Sequence, residues 1–266
     1  VMLPASVAGA LANLALLFAG KVPVNLNFTA GREALETAVE RSGIETIVTS
    51  RRFLEKAKPE LSGPEMVYVE DLVKAPSRLE KLAVAAACRL LPARLLARLF
   101  GAGPGDPDAL ATVLFTSGSS GAPKGVMLSH HNILSNADAV AQVFPFGRRD
   151  RMMCALPFFH SFGLLGGLWV PLLAGLGAVY HPSPLDAKAI GPLTAKHAAT
   201  MLISTPTFCR AYLRSCSAAD FATLRHVIVG AEPLDPALAE AFAEKFGVAP
   251  LEGYGCTEMA PVVSVN

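Results

Sequence analysis

The residues best suited to chemistry lie in a short stretch rich in serine and glycine, residues 114–126. Its glycines allow positive φ and leave backbone amides free to point at phosphate oxygens. Its hydroxyl groups add further donors, and its lysine supplies a mobile ammonium that can neutralise phosphate charge. The predicted phosphate-binding residues are Thr116, Ser117, Gly118, Ser119, Ser120, Gly121 and Lys124. These residue types at this spacing predict a loop that holds a polyphosphate.

Two better-known motifs fail on the same residues. A Walker A motif needs glycine where Pro123 stands and Ser or Thr where Gly125 stands. A nucleophile elbow, Gly-x-Ser-x-Gly, needs glycine where Ala122 stands. A plain linker would have no need of an ordered Pro-Lys-Gly after a buried strand. The chemistry indicated is therefore nucleotide chemistry of another kind.

Two further segments carry suitable side chains. One contains Gly230 and Ala231, whose small size would let a flat ring lie against the backbone. The other contains Tyr254, Thr257 and Glu258. The tyrosine can cover a purine, the threonine can bond a phosphate, and the glutamate can hold Mg²⁺ together with phosphates. Alone, the second segment is equally well explained as a structural turn, but downstream of a phosphate loop it indicates a nucleotide site.

Histidines offer two more hypotheses. His160 follows a strand among aromatic residues, and it is either a packed core residue or a residue that shapes the mouth of an acyl pocket. His181 and Asp186 have the His-x4-Asp spacing of glycerolipid acyltransferases. We reject that interpretation because Asp186 is better explained as a helix cap and two prolines fill the spacer. No His, Cys or carboxylate cluster has zinc spacing.

The elements that must position these residues alternate between strands and helices, which is typical of parallel sheets with crossover helices. The predicted strands cover residues 44–49, 66–69, 111–115, 151–156, 178–181, 201–204 and 225–230. Helix starts are predicted at Ser129, Asp186, Thr205 and Asp235. Ligands in such sheets bind beyond the carboxyl ends of the strands. We therefore expect the three nucleotide segments to converge on one cleft.

Composition sets limits on the function classes. The 266 residues are 52% hydrophobic, and the net charge is +1, with 23 basic and 22 acidic residues mixed along the chain. A large core is expected, and nothing in the charge distribution indicates a nucleic-acid partner. The five cysteines are odd in number and contain no Cys-x-x-Cys pair, which indicates a reducing, cytoplasmic environment.

Two apolar segments raise the question of a membrane. Residues 2–20 are uncharged, but the stretch between Pro4 and Gly20 would reach only ~22 Å as a helix, short of the ~30 Å hydrocarbon core. We interpret it as a buried helix. Residues 77–100 place arginines among leucines and could lie on an anionic membrane surface. The alternative, a helix packed on the sheet with its arginines in solvent, is preferred because Pro92 interrupts the pattern.

A proline-rich joint at residues 181–184 predicts a domain boundary. Residues 1–183 would form a first α/β subdomain with the phosphate-binding loop. Residues 184–266 would form an incomplete second one that carries the segments around Gly230 and Tyr254, the purine and Mg²⁺ motifs. Because both chain ends cut through expected strands, the sequence predicts a piece of a longer protein.

Together, residues 116–125, 230–232 and 254–258 resemble the motifs of the adenylate-forming (AMP-binding) superfamily, which includes acyl-CoA synthetases, luciferases and peptide-synthetase adenylation domains. The resemblance spans the whole chain. It implies two stacked parallel-sheet α/β subdomains, truncated before the C-terminal domain. Within the superfamily, the chain is most similar to the synthetase part of bifunctional acyl-[acyl-carrier-protein] synthetases/2-acylglycerophosphoethanolamine acyltransferases. This closer similarity lies in residues 27–31, 46–51, 155–164, 182–185 and 251–266.

The resemblance implies a role for each matching residue. Residues 116–124 would bind the ATP phosphates, and Lys124, Thr257 and Glu258 would be catalytic. Glu258, with Thr116, would hold Mg²⁺. The adenine and α-phosphate would meet Gly230, Ala231, Glu232, Tyr254, Gly255 and Thr257. The acyl pocket would be bordered by Phe159 and His160.

The implied activity is that of an ATP- and Mg²⁺-dependent ligase in the cytoplasm. A long-chain fatty acid would be activated as acyl-adenylate and passed to the phosphopantetheine thiol of acyl carrier protein, for reacylation of a lysophospholipid by the full-length protein at the inner face of the cell membrane. A long-chain fatty acid:coenzyme A ligase is the alternative. A non-catalytic nucleotide- or lipid-binding module is the second alternative, although Lys124 and Glu258 together count against it.

The family's ribose-binding aspartate, hinge and mobile C-terminal domain correspond to positions beyond Asn266. The resemblance therefore implies that residues 1–266 alone bind ATP or AMP weakly and do not complete adenylation.

Overall fold

The computed structural model describes residues 1–100, 105–116 and 123–266, which divide into two units. The first unit contains Val1–Leu3 and Ala8–His130, and the second contains Pro4–Val7 and His131–Asn266. The division differs from the boundary expected at residue 183. The proline-rich joint instead connects two strands of one sheet in the second unit, because the strands before and after it both pair with the strand Arg151–Cys154.

The first unit combines short helices with two small sheets. Its helices are α1 (Val7–Phe18), α2 (Arg32–Arg41), α3 (Arg51–Ala57), α4 (Val69–Lys74), α5 (Arg78–Leu90) and α6 (Ala93–Leu99). Its strands are β1 (Thr46–Thr49), β2 (Glu65–Tyr68), β3 (Leu110–Thr116) and β4 (Lys124–Ser129). The β1–β2 pair is parallel and the β3–β4 pair is antiparallel. Its core contains Met2, Leu26, Leu35 and Ile47, all nearly inaccessible to solvent.

The apolar segment near the start of the chain forms α1, as expected. Its buried side includes Asn13, whose amide exchanges two hydrogen bonds with the Asn25 amide, at 2.8 and 3.1 Å. Its opposite side, with Val7 and Leu11, is exposed, so the helix is buried on one face and not all round. Within the described residues, no helix combines the length and the apolar character needed to cross a membrane.

The expectation that residues 77–100 pack on a sheet is wrong. Pro92 does separate two helices, since α5 ends at Leu90 and α6 begins at Ala93. Neither helix contributes a buried residue. The apolar side chains of this segment instead face solvent.

The second unit is built around one six-stranded sheet. Its strands are β5 (Arg151–Cys154), β6 (Gly177–Tyr180), β7 (Met201–Ser204), β8 (His226–Val229), β9 (Pro250–Gly255) and β10 (Val262–Val265). The strand order is β10-β9-β8-β7-β5-β6, parallel throughout except for β10. Its helices are α7 (His130–Val143), α8 (Ser161–Leu164), α9 (Val170–Ala174), α10 (Ala187–Lys196), α11 (Pro206–Ser215) and α12 (Pro236–Phe246), with a π-helical turn at Leu165–Trp169 and 3₁₀ turns at Ala218–Phe221 and Thr257–Met259.

The sequence explains why this sheet is covered. All four residues of β7 are buried, as expected for a central parallel strand with helices on both faces. On one face, Tyr212, Phe221 and Phe242 are fully buried, and the rings of Phe221 and Phe246 pack edge to face with centroids 4.8 Å apart. Full burial of each such side chain contributes about 1.5–3 kcal/mol. The predicted α/β class is confirmed.

Helix starts follow the predicted caps. Asp186 accepts a hydrogen bond from the Ala189 amide, Thr205 from the Phe208 amide, and Asp235 from the Ala237 amide. Asp186 therefore caps α10, which supports its interpretation as a helix cap over that as an acyltransferase aspartate. Its other oxygen lies 3.6 Å from His181 Nε2.

Two expectations about the sheets are wrong. The strand before the phosphate loop does not belong to a parallel sheet, and Lys124 and Gly125 do not lie in a loop, because they open β4 of an antiparallel hairpin. Likewise, Tyr254 and Gly255 lie in β9, not in a loop beyond it. Glycine is unfavourable in strands, so Gly125 and Gly255 made β4 and the end of β9 resemble loops. A larger residue at position 125 would also be crowded. A Cβ on Gly125 would lie 3.1 Å from the Val113 side chain and 3.3 Å from the Phe115 ring.

Candidate functional site

Three of the segments singled out from the sequence follow or end parallel strands of the second unit. Phe159 and His160 come shortly after β5, Gly230 follows β8 directly, and Tyr254 lies near the end of β9. Because β5, β8 and β9 are parallel, their carboxyl ends lie at the same edge of the sheet. The sequence predicted that the segments at Gly230 and Tyr254 converge with the phosphate loop. The structure places those two segments, together with Phe159 and His160, at one edge of the sheet, and the part of that prediction that concerns the phosphate loop stays a prediction.

A hydrogen bond joins two of these segments. Ser161 Oγ lies 3.2 Å from Thr257 Oγ1, and both side chains are partly buried. Ser161 is the first residue of α8, and Thr257 opens the 3₁₀ turn after β9. Helix α8 thus supplies one hydroxyl and the 3₁₀ turn supplies the other. The hydrogen bond between them restricts the rotation of both side chains. A hydroxyl can accept one hydrogen bond while donating another, so the pair keeps capacity for a ligand.

Small residues at the end of β8 allow a close approach of backbone segments. A Cβ on buried Gly230 would lie 3.1 Å from the Gly253 carbonyl oxygen and 3.5 Å from the Phe162 ring. Ala231 has a φ of 69°, in the left-handed region that disfavours larger and branched side chains. The chain therefore turns sharply here, and Ala231 is exposed at the surface.

The Glu232 side chain does not point freely toward a ligand. Its Oε2 accepts hydrogen bonds from the backbone amide of Thr207, at 3.2 Å, and from Thr207 Oγ1, at 2.6 Å. Thr207 lies in the first turn of α11, where a carboxylate is also favoured by the helix dipole. The carboxylate thus anchors this loop to a helix, and any contact with an adenine would come from the backbone of Glu232.

The segment around Tyr254 is held by the antiparallel strand β10. A Cβ on Gly255 would lie only 2.1 Å from the Pro261 carbonyl oxygen, so this position requires glycine. The Cys256 amide donates to the same oxygen at 3.0 Å. The Tyr254 side chain is 67% exposed. A rigid strand pair therefore presents an aromatic ring to solvent.

Glu258 lies in the 3₁₀ turn and is exposed. Among the residues that the structure describes, no group of three or more His, Cys, Asp or Glu side chains could hold a metal ion. The donor set therefore does not build a cage of protein ligands. It does suit Mg²⁺ that arrives with a nucleotide, since this ion is usually bound by one or two carboxylates plus phosphates.

Phe159 and His160 form a ring pair whose centroids are 4.6 Å apart. Phe159 is buried, and His160 keeps part of its surface in solvent. Loss of hydration on its packed side lowers the pKa of the His160 imidazole. The neutral form therefore prevails at pH 7. That these two residues border an acyl pocket stays a prediction.

In the first unit, the structure describes only the two ends of the phosphate loop. Thr116 and Lys124 face each other as the last pair of the β3–β4 hairpin. Lys124 is exposed, and the preceding residue, Pro123, accepts a 2.9 Å hydrogen bond from Arg41 Nη1. The predicted phosphate-binding residues Ser117, Gly118, Ser119, Ser120 and Gly121 lie outside the described residues. Their role stays a prediction.

The sequence interpretation missed several residues that shape the second-unit site. Ser161 stands next to His160 and could have been found as a second polar group in the same aromatic segment. The sequence around Asn136 contains no motif that indicates a role for this residue. Its amide exchanges two hydrogen bonds with the backbone of Val262, at 2.8 and 3.1 Å, across 126 positions of sequence. Glu252 accepts from the Leu234 amide at 2.9 Å and so joins the loop after β8 to β9.

Known proteins resemble this chain in sequence. The p-hydroxybenzoic acid–AMP ligase FadD22 of Mycobacterium tuberculosis is 31% identical over 205 residues, which are 76% of this chain and 29% of that protein. Feruloyl-CoA synthase of Amycolatopsis sp is 31% identical over 256 residues, which are 93% of this chain and 46% of that protein. The chain thus spans less than half the length of either relative.

A solved structure shows the same fold. O-succinylbenzoate coenzyme A synthetase (MenE) of Bacillus subtilis, in complex with ATP and magnesium ion, superposes with a TM-score of 0.78. The match covers all of this chain and 50% of that one, at 23% identity. The family of AMP-binding enzymes matches the sequence from residue 1 to residue 266. The protein belongs to the AMP-binding enzyme family.

Proposed function

We propose that this chain is the AMP-binding part of an ATP-dependent ligase that activates a carboxylic acid as its acyl-adenylate and passes the acyl group to a thiol. The observation that carries the proposal is the hydrogen bond between Ser161 and Thr257 at the carboxyl edge of the sheet. It places a hydroxyl pair between the segment after β5, proposed for the acid, and the segment after β9, proposed for the nucleotide. Adenylation requires those two reactants to meet.

We assign each residue a role in this reaction. Main-chain atoms of Gly230 and Ala231 would face the adenine, and the exposed Tyr254 ring would cover it. The Thr257 hydroxyl would donate a hydrogen bond to the α-phosphate, and Ser161 would hold the Thr257 side chain in the orientation needed. Lys124 would neutralise charge on the leaving pyrophosphate. Glu258 would hold Mg²⁺, which when bound supplies further neutralisation of phosphate charge.

The acid proposed is a long-chain fatty acid. Support comes from residues 155–164, which resemble the synthetase part of bifunctional acyl-[acyl-carrier-protein] synthetases. Support also comes from the apolar surroundings of this segment, since Phe159 is buried directly before His160. The neutral imidazole of His160 would let it border an apolar chain without a charge. The relatives are named for other acids, p-hydroxybenzoic and ferulic, so the test compares these acids with a fatty acid.

The thiol proposed is the phosphopantetheine of acyl carrier protein, in a cytoplasmic reaction that feeds reacylation of a lysophospholipid. Five cysteines without disulfide partners agree with a reducing compartment. The second candidate acceptor is coenzyme A, because the names of feruloyl-CoA synthase and the synthetase from Bacillus subtilis include it.

The decisive experiment uses the full-length protein. ATP–pyrophosphate exchange is measured with palmitate, p-hydroxybenzoate and ferulate, and thioester formation is then measured with acyl carrier protein and with coenzyme A. Exchange that depends on palmitate, followed by transfer to acyl carrier protein, supports both the fatty acid and the acceptor proposed. Exchange with an aromatic acid only would contradict the fatty acid, and transfer to coenzyme A only would contradict the acceptor. Nucleotide binding with no exchange for any acid would favour a non-catalytic binding module.

A further inference from the structure

The segment that contains α5 and α6 presents apolar side chains to solvent. From residue 71 to residue 100 no residue is buried, and most are exposed. In α5 the exposed fractions are 80% for Leu79, 67% for Leu82 and 78% for Leu90. Exposed leucines that occur singly are ordinary, but a contiguous group marks an interaction surface.

These leucines lie on one face of the helix. Leu82 follows Leu79 by three positions and Leu90 follows it by eleven, which is three turns at 3.6 residues per turn. Ala83 and Ala86 fall between them on the same stripe. Helices in folded proteins usually turn such a stripe toward the core. In α5 the stripe points outward.

The next helix has the same character. In α6, Leu95 and Leu99 are four positions apart and exposed, and so they share one side of the helix. Arg94 and Arg98 are also four positions apart and occupy a neighbouring side. Each helix therefore combines an outward apolar side with nearby arginines.

This segment carries a strong excess of positive charge. Residues 75–100 contain five basic side chains and one acidic side chain, although the whole chain carries only +1. The acidic residue, Glu80, is engaged at the start of α5. Its carboxylate accepts from the Ser77 amide at 2.7 Å, and its own amide donates to Ser77 Oγ at 3.2 Å. The basic residues are Arg78, Lys81, Arg89, Arg94 and Arg98.

We propose that α5 and α6 form a surface-binding element for an anionic phospholipid bilayer, with the leucines at the acyl boundary and the arginines at the phosphates. An apolar helical stripe bordered by basic residues is the pattern of helices that lie in a membrane interface. At ~20 Å, α5 is too short to cross the hydrocarbon core, so it lies on the surface.

Charge decides between this occupant and a second copy of the chain. Two copies meeting through this surface would bring five cations against five cations, whereas an anionic bilayer would attract all of them. Near such a surface each Lys or Arg contributes about 1 kcal/mol, or about fivefold in binding. This binding would require no catalytic activity.

The test is flotation of the full-length protein with vesicles of phosphatidylethanolamine and phosphatidylglycerol, compared with vesicles of phosphatidylcholine alone. We expect binding to the anionic vesicles only. The triple variant L79S/L82S/L90S should lose at least ~100-fold in partitioning, since each leucine removed from the interface forfeits over 1 kcal/mol. Leu185→Ser, at another exposed leucine, is the control and should bind like wild type.

A second triple variant separates charge from apolar contact. R89Q/R94Q/R98Q should weaken binding about 100-fold at low salt. R148Q/R149Q/R214Q removes the same charge from exposed sites outside the segment and should leave binding nearly unchanged. Circular dichroism confirms that each variant is folded.

Three outcomes would overturn the proposal. They are absence of binding to anionic vesicles, equal loss in the test and control variants, and a dimer in lipid-free solution that L79S/L82S/L90S converts to a monomer. The last result would assign the surface to a second copy. A failure of the ligase activity would leave this test unaffected, because vesicle binding is measured without substrates.

Discussion

Ser161 Oγ and Thr257 Oγ1 lie 3.2 Å apart, although 96 positions of sequence separate them. The first hydroxyl belongs to the start of a helix and the second to a turn after a strand. The hydrogen bond thus reports a tertiary relationship that only the folded chain contains.

If this pair orients Thr257 for a phosphate, Ser161→Ala and Thr257→Ala should both weaken AMP binding, and their effects should not add. We expect a coupling energy of about 0.5–1.5 kcal/mol, the net value of a neutral hydrogen bond. Isothermal titration of AMP into the two single variants and the double variant measures it. Ser264→Ala, an exposed hydroxyl on β10, is the control. Strictly additive losses would show that the two hydroxyls act independently.

Lys124→Ala in the full-length protein should slow adenylate formation by about 10²–10³-fold, because a charge that stabilises the transition state is removed. The fold should be unaffected, since Lys124 is exposed at the end of a hairpin. Single-turnover formation of the acyl-adenylate is the measurement, with Lys188→Ala as an exposed-lysine control. An unchanged rate would remove Lys124 from the mechanism.

Glu258→Gln should raise the Mg²⁺ concentration needed for half-maximal pyrophosphate exchange. Removing a residue that hydrogen-bonds to a metal ligand already lowers metal affinity ~10-fold or more. Removing the ligand itself should lower the affinity for Mg²⁺ at least as much. The same titration on Glu240→Gln, an exposed carboxylate on α12, should give the wild-type value. Equal Mg²⁺ requirements in both variants would contradict the assignment.

Gly163→Ala should destabilise the second unit. An added Cβ would lie 2.2 Å from the Pro157 carbonyl oxygen and 2.9 Å from that of Leu156, so backbone must shift. We expect a loss of about 2–3 kcal/mol in the free energy of unfolding. Urea denaturation measures it, and Gly105→Ala, with open space around the added atom, should be nearly neutral. A Gly163→Ala protein as stable as wild type would contradict the close approach of Gly163 to the Pro157 carbonyl oxygen.

Asp150 supports a pH-dependent prediction. Burial alone would raise the pKa of its carboxyl, but hydrogen bonds from the Gly147 amide and Thr200 Oγ1, with the charge of Arg225, outweigh burial and lower it. A lowered folded-state pKa stabilises the protein above the unfolded-state pKa of about 3.9. That contribution is lost as pH falls through the folded-state value.

Asp150→Asn should therefore cost about 1.5–3 kcal/mol at pH 7, the range for hydrogen bonds to a charged group. The Arg225 side chain is half exposed, which places the expected value near the lower end. The stability difference from wild type should shrink as pH falls below about 4. Denaturation at pH 7, 5 and 3 measures it, with the exposed Asp108→Asn as control. A difference that is constant with pH would exclude a contribution from the charge.

Local signals account for what the sequence could predict. Residues 201–204 were predicted as a strand and form β7, because an apolar run between turn residues reports burial on both faces. The caps at Asp186, Thr205 and Asp235 depend on hydrogen bonds within three positions, so short motifs reveal them.

Long-range pairing accounts for most of what the sequence did not reveal. Strand β4 begins with Lys124 and Gly125, which resemble loop residues, and only its partner β3 makes it a strand. Asn136 supports Val262 from a surface helix, and polar residues on surface helices rarely signal such a role. The outward face of α5 was predicted to pack inward, since amphipathic patterns show that a face is apolar but not what covers it.

The bond between Glu232 and Thr207 has a consequence for engineering base preference. With that carboxylate committed to α11, a purine seated beside Gly230 and Ala231 would be recognised by the polypeptide itself and not by an exchangeable side chain. A library of point substitutions in this loop would then yield loosened anchoring more readily than a new nucleotide specificity. Redesign would have to begin with the turn geometry that Ala231 adopts.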